Sequence, residues 1–460
     1  MTPDSPQDLR SFLREVEARN PSDLLRIREP VSNRFEMTAM ALELERRGKS
    51  PILWFEKVEG TAFPVVANVY GTRMRFAQTL GVPQEELLEA WVWRDQNPIA
   101  PKLLRTGPVL DLVWTGEDVN LFRLPLITHF CEDAGPYLTA GVLVAKDPDS
   151  GVRNCSFHRL QVKGRDRLGT SLHSRRHLWS YQQRIEEREE PLEVAVVIGA
   201  HPLFYFGAGL WKGPIQADEF EVAGSFLGEP LEVVPCRTVD LEVPARAEIV
   251  LEGRILPGVR EPEGPFSEFT GYASSASTRH VMEVTAVSHR RDAIFQDIVS
   301  GNSAEHTGLL RVPGECRIYQ TLKGIVPSVR AVSYPPSGAC RFHCYISMKK
   351  TSEGQAKSAI FAAMGEDLSL KLVLVVDEDV DVYNEEEVLW AVATRMQADR
   401  GIFVVPHAMG AILDPSSDRG LTAKVGIDAT APLEGWTAER CTLPEEVLRA
   451  VREKLRALSD

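Results

Sequence analysis

The segment EPEGPFSEFTGY at 261–272 carries two carboxylates on either side of a Gly-Pro pair. Glu263 and Glu268 are five residues apart, so one turn can hold both side chains near the same point. Two neighbouring carboxyl groups can take the separate roles of proton donor and proton acceptor, because the less solvated one has a raised pKa and donates a proton near neutral pH. Phe266 and Phe269 would help to exclude water. A solvated acidic loop is the commoner structure for such a stretch, so the segment alone indicates a candidate acid/base pair.

A second polar segment, RNCSFHRLQV at 153–162, is typical of a strand. Asn154, Ser156, His158 and Arg159 distribute polar groups along it. The planar guanidinium of Arg159 suits a carboxylate, because it donates two parallel hydrogen bonds. A surface strand edge explains the same pattern equally well, so Arg159 is a candidate for binding a carboxylate.

Two further segments offer metal ligands. In TSLHSRRHLWS at 170–180, His173 and His177 are spaced i,i+4 on a possible helix, which would let them share one metal, although an exposed basic helix face is commoner. DEFEVAGSFLGEP at 218–230 opens a helix with acidic residues, which also complement the helix dipole. No spacing rule joins the four segments, so the residues alone leave their partnership open.

The elements around these segments predict a mixed α/β chain of three domains, 1–110, 111–310 and 311–460. In the first, Leu9, Phe12, Leu13 and Val16 recur at helical spacing. In the second, YLTAGVLVAK, LEVAVVIGA, AEIVLEGRIL and RHVMEVTAVS are strands of a β-barrel or open sheet. In the third, strands alternate with helices. LKLVLVVDED precedes a helix capped by Asn384, and the last helix opens at Pro444.

Composition narrows the functional class. The chain has 460 residues, 43% hydrophobic, with a formal charge of -13 and no basic tract, which argues against nucleic-acid binding. Seven scattered cysteines, no signal peptide and no membrane span predict a cytoplasmic protein. The absence of GxGxxG, GxxxxGK[ST], GxSxG and HExxH motifs removes the main support for dinucleotide, ATP, serine-hydrolase and zincin chemistry.

Taken together, the four segments resemble the UbiD family of prenylated-flavin decarboxylases. The strings EVVPCRTVDLEVPARAEIVLEG and EGPFSEFTGY are long and specific, and the likeness continues through 375–395 and KVGIDAT at 424–430. It covers most of the chain after residue 50. The resemblance implies a UbiD-like multidomain fold with a split β-barrel flavin-binding domain and an α/β C-terminal oligomerisation domain.

The resemblance also implies roles for individual residues. Arg159, Glu263 and Glu268 match the family's catalytic set, with Arg159 and Glu263 orienting the substrate carboxylate and Glu268 donating the proton. Asn154, His177 and Glu219 match the ligands of Mn²⁺ or Mg²⁺, and the backbone carbonyls of Ala208, Gly209 and Trp211 match a K⁺ site. The flavin-contacting positions are Thr139, Asn154, Ser156, Phe157, Arg159, His173, Arg176, His177, Leu210 and Phe269.

The implied reaction is the reversible, non-oxidative decarboxylation of an aromatic, heteroaromatic or α,β-unsaturated acid. Its cofactor would be prenylated FMN, because no side chain can accept the electrons left on an sp2 carbon. A flavin prenyltransferase would supply the cofactor, and the enzyme would be a homodimer or homohexamer. Segments 300–310 and 404–413 would line the substrate pocket, in which His407 and Met409 favour an aromatic acid. The alternatives are a metal-only decarboxylase or hydrolase and a non-catalytic flavin-binding relative.

Overall fold

The computed structural model describes residues 7–172, 177–209, 213 and 216–459. Its helices are α1 (Leu9–Arg19), α2 (Glu36–Arg46), α3 (Arg73–Leu80), α4 (Leu87–Asp95), α5 (His177–Glu186), α6 (Pro202–Phe204), α7 (Glu219–Leu227), α8 (Ala304–Ile325), α9 (Gln355–Glu366), α10 (Glu385–Arg395), α11 (Ala398–Gly401) and α12 (Glu445–Ser459). A π-helical turn, Tyr205–Gly209, follows α6.

The strands of the described residues form five sheets. They are β1 (Leu24–Ile27), β2 (Ile52–Phe55), β3 (Val65–Ala67), β4 (Lys102–Leu103), β5 (Leu112–Thr115), β6 (Tyr137–Leu138), β7 (Val142–Lys146), β8 (Arg153–Phe157), β9 (Leu160–Val162), β10 (Arg167–Thr170), β11 (Leu192–Ile198), β12 (Glu232–Pro235), β13 (Glu242–Pro244), β14 (Ile249–Glu263), β15 (Phe266–Ser267), β16 (Ala273–Ser274), β17 (Ser277–His289), β18 (Phe295–Gln296), β19 (Val329–Ser333), β20 (His343–Met348), β21 (Leu372–Asp377), β22 (Ile402–Met409) and β23 (Leu421–Asp428).

The N-terminal part confirms the predicted first helix. The apolar stripe of α1 is buried, and Asp8 caps the helix by accepting a hydrogen bond from the backbone N–H of Ser11 at 2.8 Å. The adjoining sheet has the order β1-β2-β3-β18, in which β18 runs parallel to β3. Because β18 comes from much later in the chain, this sheet ties the N-terminal elements to the central domain.

The central sheet has nine strands, with β5 paired to β17 beside the path β6-β9-β10-β17-β14-β11-β7-β8. Both faces are covered. Along β7, Val142 and Val144 belong to one hydrophobic core, and Leu143 and Ala145 belong to another. This double burial explains why strands such as β11 are apolar at nearly every position instead of alternating. The predicted β-rich sheet is confirmed, and the domain bounds 111–310 stay a prediction.

This sheet curls because two short links join strands near its opposite edges. Only His158 and Arg159 separate β8 from β9, and residues 139–141 separate β6 from β7. With about 3.8 Å between consecutive Cα atoms, the first link spans at most about 11 Å. The edges must therefore approach each other, which gives a half-barrel. The predicted single strand over 153–162 is wrong in this respect, since it breaks at the link.

The C-terminal part contains the sheet β19-β20-β21-β23-β22, flanked by helices. The predicted cap of α10 is confirmed, because the side chain of Asn384 accepts a hydrogen bond from the N–H of Glu386 at 3.1 Å. The edge strand β22 exposes apolar side chains such as Val404 and Met409, and α12 exposes Val447 and Val451. Among the helices of the described residues, none combines the length and apolar composition needed to cross a membrane.

Candidate active site

Arg159 stands in the link between β8 and β9 and contacts both predicted acid/base residues. Its Nε and Nη2 atoms donate to the two carboxylate oxygens of Glu263, each at 2.9 Å. Its Nη1 atom donates to Glu268. Glu263, the last residue of β14, is fully buried, whereas Arg159 and Glu268 keep some exposure. The structure thus gathers Arg159 and two glutamates that lie more than 100 positions later in the sequence into one cluster, which we call the Arg159 cluster.

Glu268 follows β15 in a tight turn, where its backbone N–H bonds to the carbonyl of Tyr272. Burial raises the pKa of the Glu268 carboxyl above its ordinary value. Arg159 opposes this shift, and the charges of Glu263 and Asp133 add to it. A carboxyl group of this kind stays protonated to higher pH than an exposed glutamate, which is the property of a general acid.

Aromatic rings cover the Arg159 cluster. The guanidinium lies over the ring of Phe266 at 5.0 Å, and Phe266 contacts the ring of Tyr137 at 4.6 Å. The Tyr137 hydroxyl donates to Glu263 at 3.1 Å and accepts from the N–H of Gly264 at 3.1 Å. Phe269 is buried. These contacts limit water around the carboxylates and fix the orientation of Glu263.

Thr139 lies in the second link of the half-barrel. Thr139 directly follows Leu138, which pairs with Leu160, the residue after Arg159. Its hydroxyl donates to Asp297 at 2.8 Å and accepts from the N–H of Ile298 at 3.0 Å. Asp297 also pairs with His129 at 3.0 Å. Burial alone would lower the pKa of His129, but the Asp297 carboxylate raises it above the ordinary value.

The predicted metal ligands also come together. Asn154 Nδ2 lies 2.6 Å from Glu219 Oε1 and 3.3 Å from His177 Nδ1. Glu219 Oε2 is buried without a hydrogen-bond partner among the described residues, and burial raises the pKa of this carboxyl to about 8. An amide flip at Asn154 would present its oxygen instead of its nitrogen. An orphaned carboxylate oxygen beside an imidazole and an amide fits a divalent cation.

The remaining predicted flavin positions fall into two groups. Ser156 and Phe157 are half-buried on β8, next to the buried Asn154 and Cys155, and the Ser156 hydroxyl lies 2.9 Å from His158 Nε2. His173, Arg176 and Leu210, with the K⁺ position Trp211, lie outside the described residues. Ala208 and Gly209 belong to the π-helical turn. A side chain at Gly209 would collide with Phe157, since its Cβ would lie 2.7 Å from the ring.

The expected pocket segments differ in placement. Segment 300–310 contacts the Glu268 loop, because the N–H of Gly301 donates to the carbonyl of Ser267 at 3.1 Å. His306 bonds through Nδ1 to the carbonyl of Gly301 at 2.9 Å, and its ring lies 6.3 Å from that of Phe269. A cavity of about 390 Å³ borders the same loop. In contrast, His407 and Met409 lie on the exposed edge strand β22, and their part in the pocket stays a prediction.

Sequence reasoning missed the residues that support the Arg159 cluster. These are Tyr137, which bonds to Glu263, Ser274, which accepts from Arg159 at 3.4 Å, and Asp133, which bonds to the loop of Glu268. The Asp297–His129 pair beside Thr139 was missed as well. Tyr137 precedes Thr139 by two residues in the predicted strand YLTAGVLVAK, so strand alternation would have placed both on one face. The contacts of Asp133 with Ser267 and of Asp297 with His129 gave no local signal, because these partners are 134 and 168 residues apart.

The half-barrel, its two links and the Arg159 cluster define the class of the protein. The chain belongs to the UbiD family of carboxy-lyases, which confirms the resemblance. Models of the N-terminal, Rift-related and C-terminal domains of 3-octaprenyl-4-hydroxybenzoate carboxy-lyase match residues 17–94, 102–303 and 308–429. The chain is therefore a member of a family of decarboxylating enzymes.

Individual relatives extend over nearly the whole chain. An anhydromevalonate phosphate decarboxylase of Methanothermobacter thermautotrophicus is 40% identical over 92% of this chain and 97% of its own. The UbiD-class enzyme HmfF of Pelotomaculum thermopropionicum, in complex with FMN, superposes with a TM-score of 0.90 at 45% identity, covering 95% and 97% of the two chains. An evolved dimeric form of HmfF, in complex with prFMN, gives 0.88 at 41%, covering 96% and 98%.

A relative that acts on an aromatic acid is more distant in sequence. The 3,4-dihydroxybenzoic acid decarboxylase AroY of Klebsiella pneumoniae has a TM-score of 0.89 at 28% identity, with 97% of this chain and 99% of that chain covered. The backbone architecture is therefore shared among enzymes named for different carboxylic acids.

Proposed function

We propose that the protein catalyses the reversible, non-oxidative decarboxylation of an α,β-unsaturated, aromatic or heteroaromatic carboxylic acid with bound prenylated FMN. The observation that carries the proposal is the Arg159 cluster, in which one guanidinium pairs with two buried carboxylates at the link between β8 and β9. The relatives in complex with FMN and prFMN support the cofactor.

Arg159 would bind the substrate carboxylate. Glu263 holds the guanidinium through Nε and Nη2, so the Nη1 edge is the one that an incoming carboxylate can use. That edge faces Glu268. A bound carboxylate would therefore displace Glu268 from its cation. Without that partner Glu268 would hold its proton more tightly, so substrate binding itself would prepare the acid.

Glu268 would then supply the proton. The bond between the carboxylate carbon and the sp2 carbon breaks, CO2 leaves, and the proton of the Glu268 carboxyl goes to the carbon. When bound, prenylated FMN would supply the π system that takes up the electron pair during bond cleavage. Glu268 would regain a proton from water, and a cavity of about 390 Å³ borders its loop. In the carboxylation direction the same residues act in reverse.

Asn154, His177 and Glu219 would hold Mn²⁺ or Mg²⁺, and the carbonyls of Ala208 and Gly209, with Trp211, would contribute to a K⁺ site. The orphaned Glu219 oxygen supports the divalent site. Thr139, Ser156, Phe157 and Phe269 would contact the flavin.

The chain is expected to act as a homodimer or homohexamer, and the apolar surface of β22 and α12 supports residues 311–460 as the oligomerisation domain. A flavin prenyltransferase would supply the cofactor.

Within the proposed class, an α,β-unsaturated acid bearing a phosphate is the first substrate to test. Identity to the anhydromevalonate phosphate decarboxylase is 40%, against 28% for the dihydroxybenzoic acid decarboxylase. This difference favours an aliphatic unsaturated acid over a phenolic acid.

The test is to produce the protein with and without a flavin prenyltransferase, in the presence of Mn²⁺, and to identify the released flavin by mass and absorbance. CO2 release is then measured with anhydromevalonate phosphate, cinnamate, furoate and 3,4-dihydroxybenzoate. The proposal requires activity in the prenylated-flavin sample, none in the flavin-free sample, and a loss of about a thousandfold in Glu268→Gln. Equal activity of flavin-free, Mn²⁺-loaded protein would establish the metal-only alternative.

A further inference from the structure

A third carboxylate, Asp133, lies against the loop that carries Glu268. Its Oδ1 atom accepts a hydrogen bond from the N–H of Ser267 at 2.8 Å, and its Oδ2 atom accepts from the N–H of Phe130 at 3.0 Å. Ser267 directly precedes Glu268, so the first bond fixes the backbone from which the Glu268 side chain extends. Asp133 is buried, with 9% of its surface exposed.

Two further bonds extend this contact to the Arg159 side of the site. The N–H of Ala134 donates to the carbonyl of Pro265 at 2.9 Å, and the side-chain amide of Gln161 donates to the carbonyl of Ala134 at 3.2 Å. Gln161 is two residues after Arg159. The pair Asp133–Ala134 therefore bridges the strand that follows Arg159 and the turn that precedes Glu268.

We propose that Asp133 is a positioning residue of the decarboxylase site, which sets the Glu268 loop opposite Arg159 and, through its negative charge, keeps Glu268 in its acid form. This inference rests on the proposed function, in which Glu268 donates the proton. The physical reason is that neighbouring carboxylates resist simultaneous ionisation. Asp133 receives two backbone N–H bonds, whereas Glu268 shares its one cation with Glu263.

Of the charged groups near Glu268, Glu263 and Asp133 are the two carboxylates that raise its pKa. Arg159 and Glu263 form the hydrogen-bonded set with it. Across Phe269, burial lowers the pKa of His306 to about 4, so this imidazole stays neutral at neutral pH. His129, which is also close to Asp133, is paired with Asp297. The exposed neighbour Glu132 borders the adjoining cavity.

The experiment compares two variants of Asp133. Asp133→Asn removes the charge and keeps the size, while Asp133→Glu keeps the charge. The matched control is Asp147→Asn in the β7–β8 turn, where a buried aspartate likewise accepts backbone N–H bonds, from Asp149 at 2.8 Å and Ser150 at 3.2 Å. Glu268→Gln identifies the infrared band of the protonated Glu268 carboxyl by its loss.

The measurement is a pH titration of that band by infrared difference spectroscopy in the flavin-free full chain. We expect the midpoint to fall by about one pH unit in Asp133→Asn, because removal of a neighbouring negative charge favours ionisation. The midpoint should stay at its original value in Asp133→Glu and in Asp147→Asn. An unchanged midpoint in folded Asp133→Asn, or an equal fall in Asp147→Asn, would overturn the inference. Should Asp133→Asn fail to fold, a lowered midpoint in Asp133→Glu, whose charge is intact, would overturn it.

A second readout uses the loaded enzyme. The alkaline limb of kcat/KM should move to lower pH by the same amount in Asp133→Asn, which leaves about a tenfold loss above the original midpoint. The flavin-free titration does not depend on turnover. A shifted infrared midpoint in a chain that decarboxylates none of the acids would thus refute the proposed function while upholding the electrostatic role of Asp133. A shifted limb without an infrared shift would overturn that role.

Discussion

Glutamates and arginines meet in two of the buried clusters that the structure describes, in opposite proportions. In the Arg159 cluster, one arginine serves Glu263 and Glu268. In the other, a single glutamate, Glu315, accepts from Arg73 at 3.0 Å and from Arg311 at 2.8 Å. Glu263 and Glu315 are both fully buried, so burial does not distinguish the clusters. The ratio of cations to carboxylates does.

The ratio decides what each cluster can do. Glu315 also accepts from the N–H of Tyr334 at 3.0 Å, so its charge is fully compensated and it joins α3, α8 and the segment after β19 as a structural tie. The Arg159 cluster lacks one cation, so the uncompensated charge favours a proton on one carboxylate. A cluster with fewer arginines than glutamates therefore favours a protonated carboxyl group, whereas a cluster with more arginines than glutamates serves as a structural contact between elements.

The largest effect should come from Glu268→Gln. The amide keeps the shape of the side chain but cannot donate the proton, so turnover of the loaded enzyme should fall about a thousandfold while the Tm changes little. Turnover is measured by CO2 release, and the Tm by calorimetry. Retention of more than a tenth of the original turnover would show that another group donates the proton.

The contrasting substitution is Glu315→Gln. It leaves two arginines without a carboxylate in a buried site, so the free energy of unfolding should fall by about 3–5 kcal/mol. Activity per folded molecule should persist. Urea unfolding and turnover on the same samples test the two halves. A catalytic loss without destabilisation would contradict the structural role of the Glu315 cluster.

Arg159→Lys should have the next largest effect. Lysine keeps the charge but cannot pair with Glu263 through two parallel bonds while offering a further N–H to the substrate, so KM should rise by about a hundredfold. The readout is KM together with the affinity for a non-reactive carboxylate, measured by calorimetry. Arg254→Lys, at a half-exposed pair with Glu193, is the matched control and should leave both values unchanged.

A smaller effect is expected in the pH profile of Glu263→Gln. Activity needs Glu268 protonated, and its raised pKa therefore sets the alkaline limb, above which turnover falls. Removal of the Glu263 charge lowers the pKa of Glu268, so that limb should move to lower pH by about one unit. The kcat/KM profile measures this shift. A limb that moves to higher pH would contradict the assignment of Glu268 as the acid.

Tyr137→Phe should have the smallest effect. It removes one hydrogen bond to Glu263 without changing the ring that packs on Phe266, and such a bond contributes about 1 kcal/mol, or about fivefold in kcat/KM. Steady-state kinetics provide the measurement, with Tyr181→Phe as a control for a buried tyrosine on α5. A loss beyond a hundredfold would give Tyr137 a direct part in the chemistry.

Much of this arrangement was predictable from local sequence. The apolar stripe of α1, the strands of the central sheet and the Asn384 cap depend on neighbouring residues, and the structure confirms them. Family resemblance also selected Arg159, Glu263 and Glu268, which the structure brings together, whereas their catalytic roles remain predictions. His173, Arg176, Leu210 and Trp211 lie beyond the described residues and stay predictions as well.

The sequence by itself determined the residue types, because acid, base and guanidinium chemistry is fixed by the side chain and the strand pattern by its apolar spacing. Only the tertiary structure decided which groups meet. The break at His158–Arg159 and the short link at Thr139 close the half-barrel, and this closure sets Asp133 and Tyr137 beside carboxylates more than 100 residues away. The pKa of Glu268 follows from that assembly, because burial and neighbouring charge exist only in the folded chain.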